Sequence, residues 1–139
     1  MSRIVAAETG AIRRSRILNG MAQALRAVAQ RPDVSEAEAH DVLAFLALSL
    51  TELNESVDGT ARAWERREYW LKADRFRSDW SWVARILTRL EAALLQGNLP
   101  QAQACGMELA SLLADRPLRR SKAGAKPWRG ARDAWLRKR

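Results

Sequence analysis

One cysteine, Cys105, and one histidine, His40, in 139 residues leave few of the groups from which active sites are built. A lone cysteine forms no intramolecular disulfide and no cysteine-based metal site, and it points to a reducing, cytoplasmic setting. A lone histidine means that any Ser-His-acid triad has to be assembled around position 40. Glu36 stands four residues before it, with Glu38 and Asp41 alongside. That spacing allows a pH-sensitive His40 and Glu36 pair; the simpler expectation is an exposed residue on the polar side of a helix. No Glu-x-x-His occurs, so the helical di-metal carboxylate site lacks its ligands, and there is no glycine-rich phosphate loop. The expectation is therefore a protein that is not an enzyme and has no metal, no cofactor and no small-molecule substrate.

Other scarcities narrow the fold. Seven Gly and four Pro lie mostly at apparent element boundaries, and no stretch alternates apolar and polar residues as a strand does. The longest apolar run, residues 42–48, is far shorter than the eighteen or so residues of a membrane span. The apolar patch Ile4, Val5, Ala6, Ala7 meets Glu8, Gly10 and Arg13 before a signal-peptide core develops. A soluble or at most peripheral protein is expected.

What is present is helix-forming. Ala, Leu, Arg and Glu dominate, and six Trp enlarge the available core. The net charge of +8 is unevenly spread. Residues 116–139 hold ten Lys/Arg against the single acid Asp133, and residues 1–31 hold six Arg against Glu8. The middle, residues 32–115, has eight cations and fourteen acids. Such block polarity speaks of partners and leaves the fold open.

Three apolar stripes follow in order. Ile17, Met21, Leu25 and Val28 share one face of a helix expected over about residues 3–30, which Pro32 ends. Ser35 and Glu38 form a capping-box signature for a second helix. Its stripe runs Leu43, Leu46, Leu50, Leu53, Val57, Ala61, Trp64, Glu68, Leu71, and only Glu68 spoils it. Asp58-Gly59 reads as a local weakening inside it. The third stripe, Phe76, Trp80, Val83, Leu87, Leu90 and Leu94, is a coiled-coil-like seam, able to pack within the chain's own bundle or against a second copy as a homodimer. Gly97, Asn98 and Pro100 open a last helix ending near Asp115. These stripes bury themselves against one another, so the expected fold is all-α: an antiparallel bundle of three to four helices over residues 1–115, with a disordered basic C-terminal tail over 116–139. Between the second and third stripes, either one long helix spans 36–96 or a hairpin turns at residues 72–74 with Asp74 as N-cap. The hairpin is favoured.

Residues 63–82 hold Trp64, Tyr69, Trp70, Phe76, Trp80 and Trp82 among many charged side chains. Trp64 and Trp80 fall on the stripes; Tyr69, Trp70 and Trp82 do not. Either they form a second core face, with pairs such as Arg75 and Asp79 at its surface, or they form with Arg66 and Arg77 a surface for a protein partner, which has the composition of interface hot spots. The run Ala63-Trp64-Glu65-x-Arg67-x-Tyr69-Trp70-x-Lys72-Ala73-Asp74-Arg75-Phe76-Arg77, followed by Trp80 and Trp82, resembles small uncharacterised helical proteins of cyanobacteria. The resemblance covers the middle half of the chain. It implies an all-helical fold and a cytosolic or stromal-side setting, and it implies no activity.

In the tail, Arg119, Arg120, Lys122, Lys126, Arg129, Arg132, Arg137, Lys138 and Arg139 are candidate polyanion contacts, and Trp128 and Trp135 are candidate stacking rings. Residues 116–127 carry almost nothing apolar and are expected to be disordered. Residues 128–139 pattern as a short basic amphipathic helix. Four uses fit: phosphates and bases of RNA or DNA, anionic lipid as a peripheral membrane contact, an acidic protein groove, and docking on the chain's own acidic middle. The leading expectation is a non-enzymatic helical protein-binding or assembly factor whose aromatic/Arg surface and basic tail engage an acidic partner. The alternative is an RNA-associated protein with the tail as its phosphate-binding arm.

Overall fold

The computed structural model describes residues 9–116 and 126–139, and all regular structure among them is α-helical. Six helices follow in order: α1 (Gly10–Ala29), α2 (Glu36–Arg66), α3 (Trp70–Asp79), α4 (Ser81–Leu95), α5 (Leu99–Leu112) and α6 (Ala131–Arg137). Three of them start where a side-chain oxygen satisfies a bare amide. Thr9 accepts from the Ile12 amide at 3.1 Å, Ser35 from Glu38 at 3.0 Å, and Asn98 from Gln101 at 3.2 Å. Residues 3–8, expected as the start of the first helix, lie outside the described residues.

The second helix is the spine. It spans 31 residues, about 45 Å at 1.5 Å per residue, and passes through Asp58-Gly59 without a break. Leu43, Leu46, Leu50, Leu53, Val57 and Ala61 are all buried along it. Each of the other five helices touches it. α1 lies antiparallel on one side, with Arg16 reaching Glu52 at 3.3 Å and Arg14 reaching Thr60 at 2.8 Å. α3 and α4 return along another side, and α5 runs back along α4, joined by Arg89 and Glu108 at 2.6 Å.

Six helices replace the expected three to four, and two of the differences are breaks in the backbone. The hairpin after α2 turns at residues 67–69, so Asp74 lies inside α3 and caps nothing. The turn is a Schellman-type stop: the Tyr69 amide bonds the Trp64 carbonyl at 2.9 Å and the Glu68 amide bonds the Glu65 carbonyl at 2.9 Å. Glu68 takes the left-handed position of that stop, with φ of 63°. The chain breaks again at Trp80, which divides the expected seam between α3 and α4. Val83 and Leu90 of that seam are buried within the chain's own core, and Trp80, Leu87 and Leu94 pack half-buried against it.

The third difference is the tail. Residues 117–125 lie outside the described residues. Residues 126–139, expected to be partly disordered and apart from the bundle, are ordered against it. Trp128, Ala131 and Trp135 join the same buried cluster as Leu43, Ala44 and Ala93. The cause is local complementarity: burying two indoles contributes roughly 1.5–3 kcal/mol each, Glu38 of α2 pairs with Lys126, and Glu91 of α4 pairs with Arg139. His40 is accordingly half-buried beneath α6, where the sequence suggested an exposed residue, and lines a small cavity with Arg132 and Trp135.

Candidate functional site

Helix α3 is ten residues long and is held by its inner side. Ala73 is fully buried. Phe76 meets Trp64 edge to face, with centroids 4.9 Å apart and planes at 81°. Arg77 crosses to α2, donating to Asp58 at 2.7 Å and Glu65 at 3.2 Å. The hydrogen bond from Arg77, with the charge of Arg62 beside it, holds the Asp58 carboxyl below the usual range. These ion pairs run between helices, whereas the sequence suggested pairs within α3.

The outer side of the turn is left to solvent. Tyr69, Trp70 and Leu71, three consecutive large side chains, are 52%, 59% and 64% exposed. Arg66, Arg67, Lys72 and Arg75 are exposed around them, with Glu68, Asp74 and Asp79 as the nearby acids. The ammonium of Lys72 sits 4.5 Å from the Trp64 ring, which keeps that cation at the edge of the aromatic surface. The result is an aromatic tip ringed by cations at the far end of the spine.

Of the five residues expected to meet a partner, Arg66, Tyr69 and Trp70 come together at this tip. Arg77 lies on its inner side, bound to Asp58 and Glu65. Trp82 lies elsewhere, in the first turn of α4, stacked on Trp80 with centroids 6.1 Å apart. Leu71 was missed, because the α2 stripe assigned it to the core. It leaves that stripe because the chain reverses at Glu68.

The tail residues separate into three groups. Arg119, Arg120 and Lys122 lie outside the described residues. Lys126, Trp128, Trp135 and Arg139 are engaged within the chain. The Trp128 indole N–H donates to Glu38 at 3.1 Å, and the same carboxylate accepts from Arg31 at 2.7 Å and pairs with Lys126 at 3.4 Å. The Arg31 hydrogen bond, then that of Trp128, pulls the Glu38 carboxyl down to about 2. Arg139 pairs with Glu91 at 3.3 Å and lies over the Trp135 ring at 5.3 Å. Trp128 and Trp135 are each only 4% exposed, so neither offers a face for stacking a base. Arg129, Arg132, Arg137 and Lys138 remain exposed.

Asp41, read from sequence only as a neighbour of His40, anchors this segment. Its carboxylate accepts from the Gly130 amide at 3.3 Å and the Arg132 amide at 2.9 Å, supplying α6 with the N-terminal cap its own Gly130 lacks. The acid cluster Glu36, Glu38, Asp41 at the start of α2, set beside a basic Trp-bearing tail, was the available signal.

Elsewhere, Cys105 is buried and its thiol is pushed up by that burial, which leaves it in the unreactive neutral form. No group of three or more His, Cys, Asp or Glu among the described residues is arranged to hold a metal ion. No helix among them is long and apolar enough to cross a membrane. Neither a family model, nor a curated protein, nor a solved structure matches the chain.

Proposed function

We propose that this chain is a helical protein-binding module whose partner is gripped by the tip between α2 and α3. One observation carries the reading: Tyr69, Trp70 and Leu71 are consecutive, large and more than half exposed on a well-held turn. Isolated exposed apolar residues are ordinary, but a contiguous aromatic patch on a rigid support, rimmed by Arg and Lys, has the make-up of an interface hot spot. The cations favour an acidic rim around an apolar pocket on the partner. The resemblance of residues 63–82 to helical proteins of cyanobacteria covers the same tip. Binding, with no catalytic step, is the assigned role, and the lone buried thiol fits a cytoplasmic setting.

The RNA-associated alternative rests on Arg129, Arg132, Arg137 and Lys138 as phosphate contacts, since the two tail indoles are in the core. A photo-crosslinking side chain at position 71, with Trp70→Ala as control, separates the two readings. A protein adduct that disappears in Trp70→Ala, while the melting temperature is unchanged, supports the tip. With the photo-crosslinking side chain moved to position 137, a salt-sensitive RNA adduct reduced by reversing the charges of Arg129 and Arg132 supports the alternative.

A further inference from the structure

Residues 126–139 are bound to the bundle as a ligand is bound. Among the described residues, every polar contact between this segment and the rest of the chain ends on a bundle carboxylate. Lys126 and the Trp128 indole meet Glu38, the Gly130 and Arg132 amides meet Asp41, and Arg139 meets Glu91. The backbone hydrogen bonds of the segment stay within it. Its apolar contacts come from Trp128, Ala131 and Trp135, at positions i, i+3 and i+7, which is the anchor spacing of a helix laid into a groove. Even its N-terminal cap belongs to the groove, since Gly130 supplies none and Asp41 does.

The groove matches its occupant in charge. Three acids rim it, Glu38, Asp41 and Glu91, and the segment carries six Lys/Arg against Asp133. It matches less well in shape. A hollow of about 70 Å³ remains beside Trp135 and Leu136, where Ala44 of α2, Ala93 of α4 and Ala102 of α5 present only small side chains. Unfilled space forfeits contacts, so the resident helix holds its seat less tightly than a bulkier one would.

We propose that this groove is a docking site for a short basic helix of a partner protein, carrying two large aromatic side chains seven residues apart, and that the chain's own α6 segment holds it closed as an autoinhibitory occupant. Charge, anchor spacing and the supplied cap define that chemistry, and the hollow marks the room a partner helix would fill. The inference is independent of the role given to the tip.

A fluorescent peptide of residues 126–139, titrated with the full chain and followed by anisotropy, tests it. The resident segment competes, so the apparent affinity is the intrinsic one scaled by the fraction of molecules whose groove is open. Wild type should bind the peptide weakly. Trp135→Ala, which loosens the occupant and leaves the groove intact, should bind it at least about tenfold more tightly. Adding Asp41→Lys to that variant should abolish the gain, which places the peptide in the groove. A peptide with alanine in place of both indoles should not bind. Gly130→Ala loosens α6 by a milder route, because φ there is 76° and no neighbour lies within 4 Å of the added Cβ. It should raise affinity about fivefold, and it decides the matter if Trp135→Ala fails to fold by circular dichroism. Folded variants that take up no peptide overturn the proposal, because α6 then leaves its seat only when the whole bundle unfolds. So does equal affinity for wild type and the loosened variants, or binding indifferent to Asp41→Lys, either of which would mean capture by charge elsewhere on the surface.

Discussion

The guanidinium of Arg14 lies 4.8 Å from the centre of the Phe76 ring, closing α1 against α3 through a cation with no carboxylate beside it among the described residues. Its hydrogen bonds go to the Ser56 hydroxyl and carbonyl and to the Thr60 hydroxyl, and Trp80 covers it at 5.7 Å. Burial pushes the guanidinium below its ordinary value. The side chain thus acts here as packing as much as charge. Arg14→Met, which keeps the length and removes the uncompensated cation, should change stability by less than about 1.5 kcal/mol. Arg14→Ala should cost about 2 kcal/mol or more, since nothing fills the space between Phe76 and α2. Urea denaturation distinguishes the two; equal losses would show that charge, rather than packing, holds the joint.

Glu68 and Gly97 occupy the same left-handed position after α2 and α4, with φ of 63° and 67°. Only glycine adopts that conformation without steric cost. Glu68→Gly should therefore stabilise the protein by about 0.5–1 kcal/mol, and Gly97→Ala should destabilise it by about 1 kcal/mol. No neighbour lies within 4 Å of a Cβ added at Gly97, so that loss is conformational. Thermal denaturation of the pair should move in opposite directions.

The α6 segment is a structural part of the bundle. Trp135→Ala should cost about 3–5 kcal/mol, as removal of a buried indole does. Leu136, half exposed on the same helix, and Arg129 should each tolerate alanine within about 0.5 kcal/mol. Removing residues 126–139 should lower the melting temperature markedly. An unchanged melt after that deletion would mean that α6 is not packed in solution.

Glu38 gives this docking an acid limit. Its carboxyl is lowered from the ordinary 4.5 to about 2 in the folded chain. A depressed folded value contributes stability that is fully present above about 4.5 and is lost as pH falls from there through about 2. The melting temperature of the wild type should fall through that window more steeply than that of Glu38→Gln. Because the Trp128 indole donates to the same carboxylate, tryptophan emission should shift to the red over the same interval.

The helical class, the spine and the caps were legible because each has a local cause. Ser35 before Glu38, and Gly97 before Asn98 and Pro100, mark their helix ends by chemistry contained within four residues. The turn after α2 was not legible, because its left-handed residue is a glutamate and carries no glycine signal. The stripe stays nearly in phase through it, so periodicity placed Leu71 in a core that the reversal takes it out of. The helical pattern of Trp128, Ala131 and Trp135 was legible, but its partner was not. Glu38 and Asp41 stand about ninety residues earlier, and no local rule pairs residues across that separation. For the candidate site, the aromatic excess was visible in composition, whereas its division between a solvent-facing tip and a Trp80–Trp82 stack depended on the break at Trp80.

The length of α2 sets a spacing. From Asp41, which caps α6, to Arg66, at the aromatic tip, the helix rises about 37 Å. The exposed tail cations and the aromatic tip therefore stand at opposite ends of one rod, too far apart for a small molecule to touch both. A body that engaged the two at once would have to be at least as long as that rod.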